Sequence, residues 1–201
     1  MRILAVLLLA GAGVGCGEGV DRAGGPERIY DAVLAHLTET RFEGPDWPLP
    51  PDAQPPEVLR IVIAPISKGP VEDWGTRLGG VRQEATGSWG DDTLADYERS
   101  NTFTRDISGL LRSVVPITFL ADSEFPAAAT LEDAWREFYG RFPGAQGYAS
   151  LSLPGVSTDG REAVVWVSNG QGPLDGWSGF CLLRREAGRW RVVDVLVCEV
   201  W

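Results

Sequence analysis

Four apolar segments crowded into residues 147–201 constrain the fold of this chain more than any other feature of its sequence. They cover 148–156, 161–168, 177–185 and 189–201, and between them stand Thr158-Asp159-Gly160, the glycine-rich stretch 169–176 and Glu186-Ala187-Gly188. Short links that contain glycine, between runs of β-branched and aromatic residues, form antiparallel hairpins. The segments therefore predict a four-stranded meander. In the last segment Trp190, Val192, Leu196, Cys198 and Val200 alternate with Val193, Val195, Val197 and Trp201, so both faces read as apolar. A strand apolar on both faces is expected in the middle of a sheet, covered on each side.

A meander needs helices over it, and the sequence supplies them. Pro26 opens a helical pattern to residue 38 in which Ile29, Tyr30, Val33, Leu34 and Leu37 share one face. A shorter helix, capped by Asp91 or Asp92, runs to Arg99 with Leu94, Ala95 and Tyr97, and another turn is expected within 108–115. The strongest helix signal begins at Thr130, an N-cap with Asp133 three residues on. Leu131, Ala134, Trp135, Phe138, Tyr139 and Phe142 then recur at helical spacing. That aromatic stripe reads as core. Residues 58–63 and Ile117-Thr118-Phe119-Leu120 are further strands. Residues 43–56 hold six prolines, which remove backbone donors and make a stiff surface connector, and 74–90 reads as loop. The fold class expected is α+β: one domain over 27–201 with an antiparallel meander packed on a few amphipathic helices.

Residues 1–16 have an export pattern, with Arg2 as the positive part, 3–10 as an apolar run, and small residues up to Cys16. The run is too short for a permanent membrane helix. Gly13-Val14-Gly15-Cys16 resembles the end of a bacterial lipoprotein signal, although Gly13 stands where that family has an aliphatic residue. The resemblance implies a lipid on the Cys16 thiol. It also implies a membrane partner through that anchor alone, and a place in the cell envelope: the periplasmic face of the outer membrane if the cell is Gram-negative. Two or more acyl chains on one residue anchor stably where a single chain does not. Residues 17–26 then read as a flexible tether.

Charge and residue inventory exclude several function classes. The net charge of −10, which loss of Arg2 with an export segment would take to −11, opposes nucleic acid and anionic membrane faces as partners. His36 is the only histidine, on the flank of the first helix. A Ser-His-Asp or Cys-His device therefore has little to be built from, and no P-loop or G-x-S-x-G stretch occurs. No metal site, cofactor or catalytic residue is expected. Cys181 and Cys198 are expected to be buried free thiols, because hairpin pairing about residue 187 places them far apart along the ladder. Asp194 interrupts the last apolar strand and is expected to pair with an arginine such as Arg184 or Arg191. The 169–177 stretch, with Asn169, Gln171, Asp175 and Trp177, is the candidate recognition loop, since loops on rigid scaffolds commonly bind.

Trp135-Arg136-Glu137-Phe138-Tyr139, Phe142-Pro143-Gly144-Ala145-Gln146-Gly147, Leu151-Ser152, Ala163-Val164-Val165-Trp166-Val167 and Gly188-Arg189-Trp190 together resemble a pattern of uncharacterised bacterial exported proteins and lipoproteins. Leu94-Ala95-Asp96-Tyr97-Glu98-Arg99-Ser100-Asn101 fits the same pattern. The likeness covers about 91–201, implies a compact exported α+β domain, and brings no activity with it. Members often carry a cysteine pair between the second and third strands, where this chain has Gln171 and Asp175. The function expected is a lipid-anchored, non-enzymatic binding or scaffolding domain whose protein or small-molecule partner is open. The alternatives are a hydrolase using a carboxylate such as Asp194 or Asp175, and a secreted inhibitor or immunity-type protein.

Overall fold

The computed structural model describes residues 25–39, 60–69, 89–112 and 116–201. Cys16, most of the tether, the proline-rich connector, Val58-Leu59 and nearly all of the 74–90 loop lie outside the described residues. The elements run α1 (Pro26–Glu39), β1 (Arg60–Ile63), α2 (Asp91–Ser100), β2 (Ile117–Phe119), α3 (Leu131–Arg141), β3 (Ala145–Leu151), β4 (Gly155–Val156), β5 (Glu162–Gly172), β6 (Asp175–Glu186) and β7 (Arg189–Val200). Of the turn expected within 108–115, a single 3-10 turn forms at Ser108–Leu110. Among the described residues no helix is long and apolar enough to cross a membrane.

One sheet gathers the strands in the order β2-β1-β3-β5-β6-β7, with β4 paired to β5. The meander forms as its turns dictate: β3, β5, β6 and β7 are successively antiparallel. β1 then adds parallel to β3, and β2 parallel to β1, so the sheet is mixed. The β6–β7 hairpin closes on Ala187 (φ 48) and Gly188 (φ 79), the left-handed pair that lets a two-residue turn follow the twist of its strands. In β3, Gly147 sits at φ +113 beside a register shift, and a Cβ there would meet the carbonyl oxygen of Gly170 at 2.3 Å. Only glycine lets the two strands approach at that bulge.

Alternation along the central strands sends side chains to two covered faces. Ala163, Val165, Val167, Cys181 and Leu183 meet the Ile29, Tyr30, Val33, Leu34 and Leu37 stripe of α1. On the opposite face Val164, Trp166, Phe180 and Leu182 meet Leu94 and Tyr97 of α2. Phe138 and Trp135 of α3 pack over Val62 and Leu120 on that second side. The result is a single α+β domain in three layers. The capping expected for α3 is present, with Thr130 accepting from the Asp133 N–H at 3.1 Å. Its stripe is narrower than expected, because Leu131 is exposed while Ala134, Trp135 and Phe138 are buried.

Three expectations are corrected. The 148–156 segment is two strands, broken at 152–154 where Asn101 takes over the backbone bonding. Its Nδ2 donates to Leu153 O and its Oδ1 accepts from Leu153 N–H, at 2.9 and 2.8 Å. Second, β7 is the edge of the sheet rather than a central strand, and most of its length is exposed. Its apolar residues have uneven fates: Trp190 is buried against α1, Val192 and Val195 are partly covered, and Val193, Val197 and Val200 face outward. Third, Cys181 is buried as expected but Cys198 is exposed, because it occupies one of two register shifts in β7. Neither thiol is in a disulfide.

Candidate functional site

The expected recognition loop is mostly strand. β5 continues through Gly172 and β6 starts at Asp175, so only Pro173 and Leu174 turn the chain. Asn169, Gln171 and Trp177 are buried, Asp175 is half-buried, and the exposed tip is Leu174. Glycines make this possible. A Cβ on Gly170 would meet the Trp135 ring at 3.1 Å and one on Gly176 the Trp201 indole at 2.6 Å, so aromatic rings approach bare backbone. Tyr139 Oη adds a hydrogen bond to the Gln171 carbonyl at 2.7 Å.

This hairpin runs into the open edge. Trp201 and Gly176 exchange backbone hydrogen bonds of 3.0 and 3.2 Å, and Trp177 pairs with Val200. Leu174, Val197, Val200 and Trp201 are therefore exposed apolar groups at the same end of the sheet, with Leu174 and Val200 about four-fifths exposed. Among the described residues no strand neighbours the outer side of β7, and an open row of backbone N–H and C=O groups is the arrangement to which another extended chain adds. Asp194 lies on this edge, exposed, and its carboxylate accepts from the Val195 N–H at 2.8 Å. The local backbone, not Arg184 or Arg191, supplies that bond.

A second region lies at the opposite end of β5 and β6, where a cavity of about 750 Å³ opens beside the N-terminus of α2. Three acidic residues and three arginines line it: Asp92, Asp159, Glu162, Arg161, Arg184 and Arg185. The carboxylates are bonded within the wall. Asp92 accepts from Thr158 N–H and Oγ1 at 2.8 and 2.7 Å, which holds its carboxyl below the usual range. Asp159 accepts from Ser157 Oγ and the Arg161 N–H, with the same effect. Glu162 accepts from the Gly90 N–H at 3.1 Å and lies 3.5 Å from Arg184, whose guanidinium also sits over the Trp89 ring. Neither Asp194 nor Asp175, the carboxylates of the hydrolase alternative, lines this cavity.

Sequence reasoning missed both the cavity and a contact at the carboxyl ends of the parallel strands. There Lys68, the single lysine, reaches Asp122 at 2.6 Å, and Tyr148 Oη donates to the same carboxylate. The pairs are far apart in sequence, and nothing local signals them. His36 is half-buried, and burial lowers its pKa. Among the described residues no group of three metal-ligating side chains converges. Comparison with protein-family models, curated proteins and solved structures found no match to the chain.

Proposed function

We propose that this chain is an exported, lipid-anchored envelope protein whose domain binds another polypeptide by adding an extended segment to β7. The observation that carries the reading is the length and character of that edge. It spans 12 residues, with Val193, Val197, Val200 and Trp201 exposed along it. Long apolar edges are liabilities that folded proteins normally cover, so one that no described residue pairs with supports a docking role. Strand addition takes affinity from main-chain hydrogen bonds and specificity from alternate side chains. β7 itself is formally neutral, with Arg189 and Arg191 against Asp194 and Glu199, so its exposed valines favour a partner segment that alternates apolar with polar residues. The anchor rests on Cys16 and its resemblance to a lipoprotein signal, and the tether would hold the domain clear of the lipid.

Photo-crosslinking in intact envelopes tests the docking edge. A crosslinking residue at Val197 is expected to give a discrete adduct that the same residue at Leu131, exposed on α3, does not give. Equal products from the two positions would sink the reading. Palmitate labelling of wild type and Cys16→Ala tests the anchor separately, with label expected only in the former. An inhibitor or immunity-type protein would use the same edge, and it differs in forming a stable stoichiometric complex that survives detergent extraction.

A further inference from the structure

Along β6 the residues that bond β7 alternate with those that bond β5. Gly176 exchanges both backbone bonds with Trp201 beyond the end of β7, whereas Arg185 donates to Arg161 on the other side. Cys181 is in phase with Arg185, so Val195, its register partner, turns its N–H and C=O to the open side. There the Asp194 carboxylate takes the N–H at 2.8 Å. β7 has one extra residue on either side of Val195, at the register shifts that skip Val193 and Cys198. Arg191 and Glu199, each four residues from Val195, therefore lie on one face, opposite Arg184 and Ser178. Glu199 accepts from Ser178 Oγ at 3.2 Å. Arg191 has a like charge across the ladder, which is unfavourable, and no ion pair holds it among the described residues. The other face is divided: Trp190, Val192 and Val195 pack into the core beneath α1, while Val197 and Val200 are exposed.

We infer that the segment added to β7 is the β7 of a second copy of this chain, antiparallel about a two-fold axis through Val195. The inference rests on the strand-addition reading of the edge and names its occupant. In this register the two Val195 residues exchange N–H···O=C bonds, and the exposed Asp194 carboxylate returns to water. Arg191 meets the second copy's Glu199, and Glu199 meets its Arg191, so two opposite-charge pairs form across the seam. Val197 comes beside the second copy's Val193, and Val200 beside its Trp190. The bare half of each strand thus meets the half that the other copy's α1 covers. A two-fold contact repeats each pairing and closes, which limits the assembly to two chains. A seam one strand wide is small beside a standard interface of about 1,600 Å². The pair is therefore weak in dilute solution and forms where an anchor at Cys16 would concentrate the chains on a surface.

Photo-crosslinking from Val197 of the full chain in intact envelopes identifies the occupant. The expected adduct has twice the mass of the chain, and peptide mapping should place its far end on the first half of β7. A discrete adduct of any other mass would overturn the second copy and leave strand addition standing, whereas equal products from Val197 and Leu131 would overturn both. The same assay tests the charge pairs. Arg191→Glu and Glu199→Arg each put like charges into both pairs, and each should lower the dimer adduct about fivefold. The double variant rebuilds both pairs and should recover the wild-type yield. Its two residues are roughly 25 Å apart along one strand, so rescue can come only from contact between chains. Arg136→Glu on α3 should leave the yield unchanged. Single variants equal to wild type, or a double variant no better than either single, would overturn the inference.

Discussion

β5 and β7 have 11 and 12 residues, neighbour the same strand, and read alike in sequence, yet they have opposite fates. Nine residues of β5 are buried, and β7 has one, Trp190. The difference comes from neighbours rather than composition. β5 is paired on both sides and covered by α1 and α2, whereas among the described residues β7 has β6 on one side and an open edge on the other. Valine on β5 is a packing element, and valine at 197 or 200 is surface. An apolar strand states that it will pair, not how many partners it will find.

The contrast breaks most sharply on truncation. Phe180 of β6 is fully buried and meets Tyr97 edge to face at 5.6 Å. Phe180→Ala should cost about 3–5 kcal/mol in chemical denaturation, while Val197→Ala should stay within about 0.5 kcal/mol. Comparable losses at both sites would mean that β7 is covered in solution. A smaller effect tests how β7 is held. Gly179 faces Val197, and a Cβ there would meet the Leu196 carbonyl oxygen at 2.3 Å. Gly179→Ala should cost about 1–3 kcal/mol, with amide protection lost first along β7 and retained in β5. Uniform loss of protection would show that edge and centre unfold as one unit.

The two thiols give the contrast with no stability change at all. Cys198 is exposed and should react with a thiol reagent in the folded Cys16→Ser protein. Cys181 is buried and its pKa is pushed up to about 12 by desolvation, so at neutral pH it stays a protonated thiol out of reach. It should react only on unfolding, and fast labelling of both would place β6 nearer the surface than its packing allows.

Much of the fold was legible because it is written in local periods. The α1 stripe, the Thr130 cap, the 158–160 turn and the Ala187-Gly188 hairpin each follow from a few adjacent residues. The 169–177 stretch misled because glycine serves two purposes. Its glycines are loop signals by local rules, but Gly170 and Gly176 clear space on strands for the rings of Trp135 and Trp201, which lie elsewhere in the chain. The cavity was hidden for a related reason: Asp92 and Thr158 are 66 positions apart, and no spacing rule joins them.

By itself the sequence determined the helices, the antiparallel order of the meander and the buried α1 stripe. Those follow from side-chain alternation, helical period and turn chemistry, all short-range. Only the tertiary structure decided that β1 and β2 extend the sheet in parallel, that β7 ends it, and that Arg161 and Arg185 share a cavity. Each of these depends on which distant segment arrives alongside, and that choice is made by pairing and packing across the whole sheet.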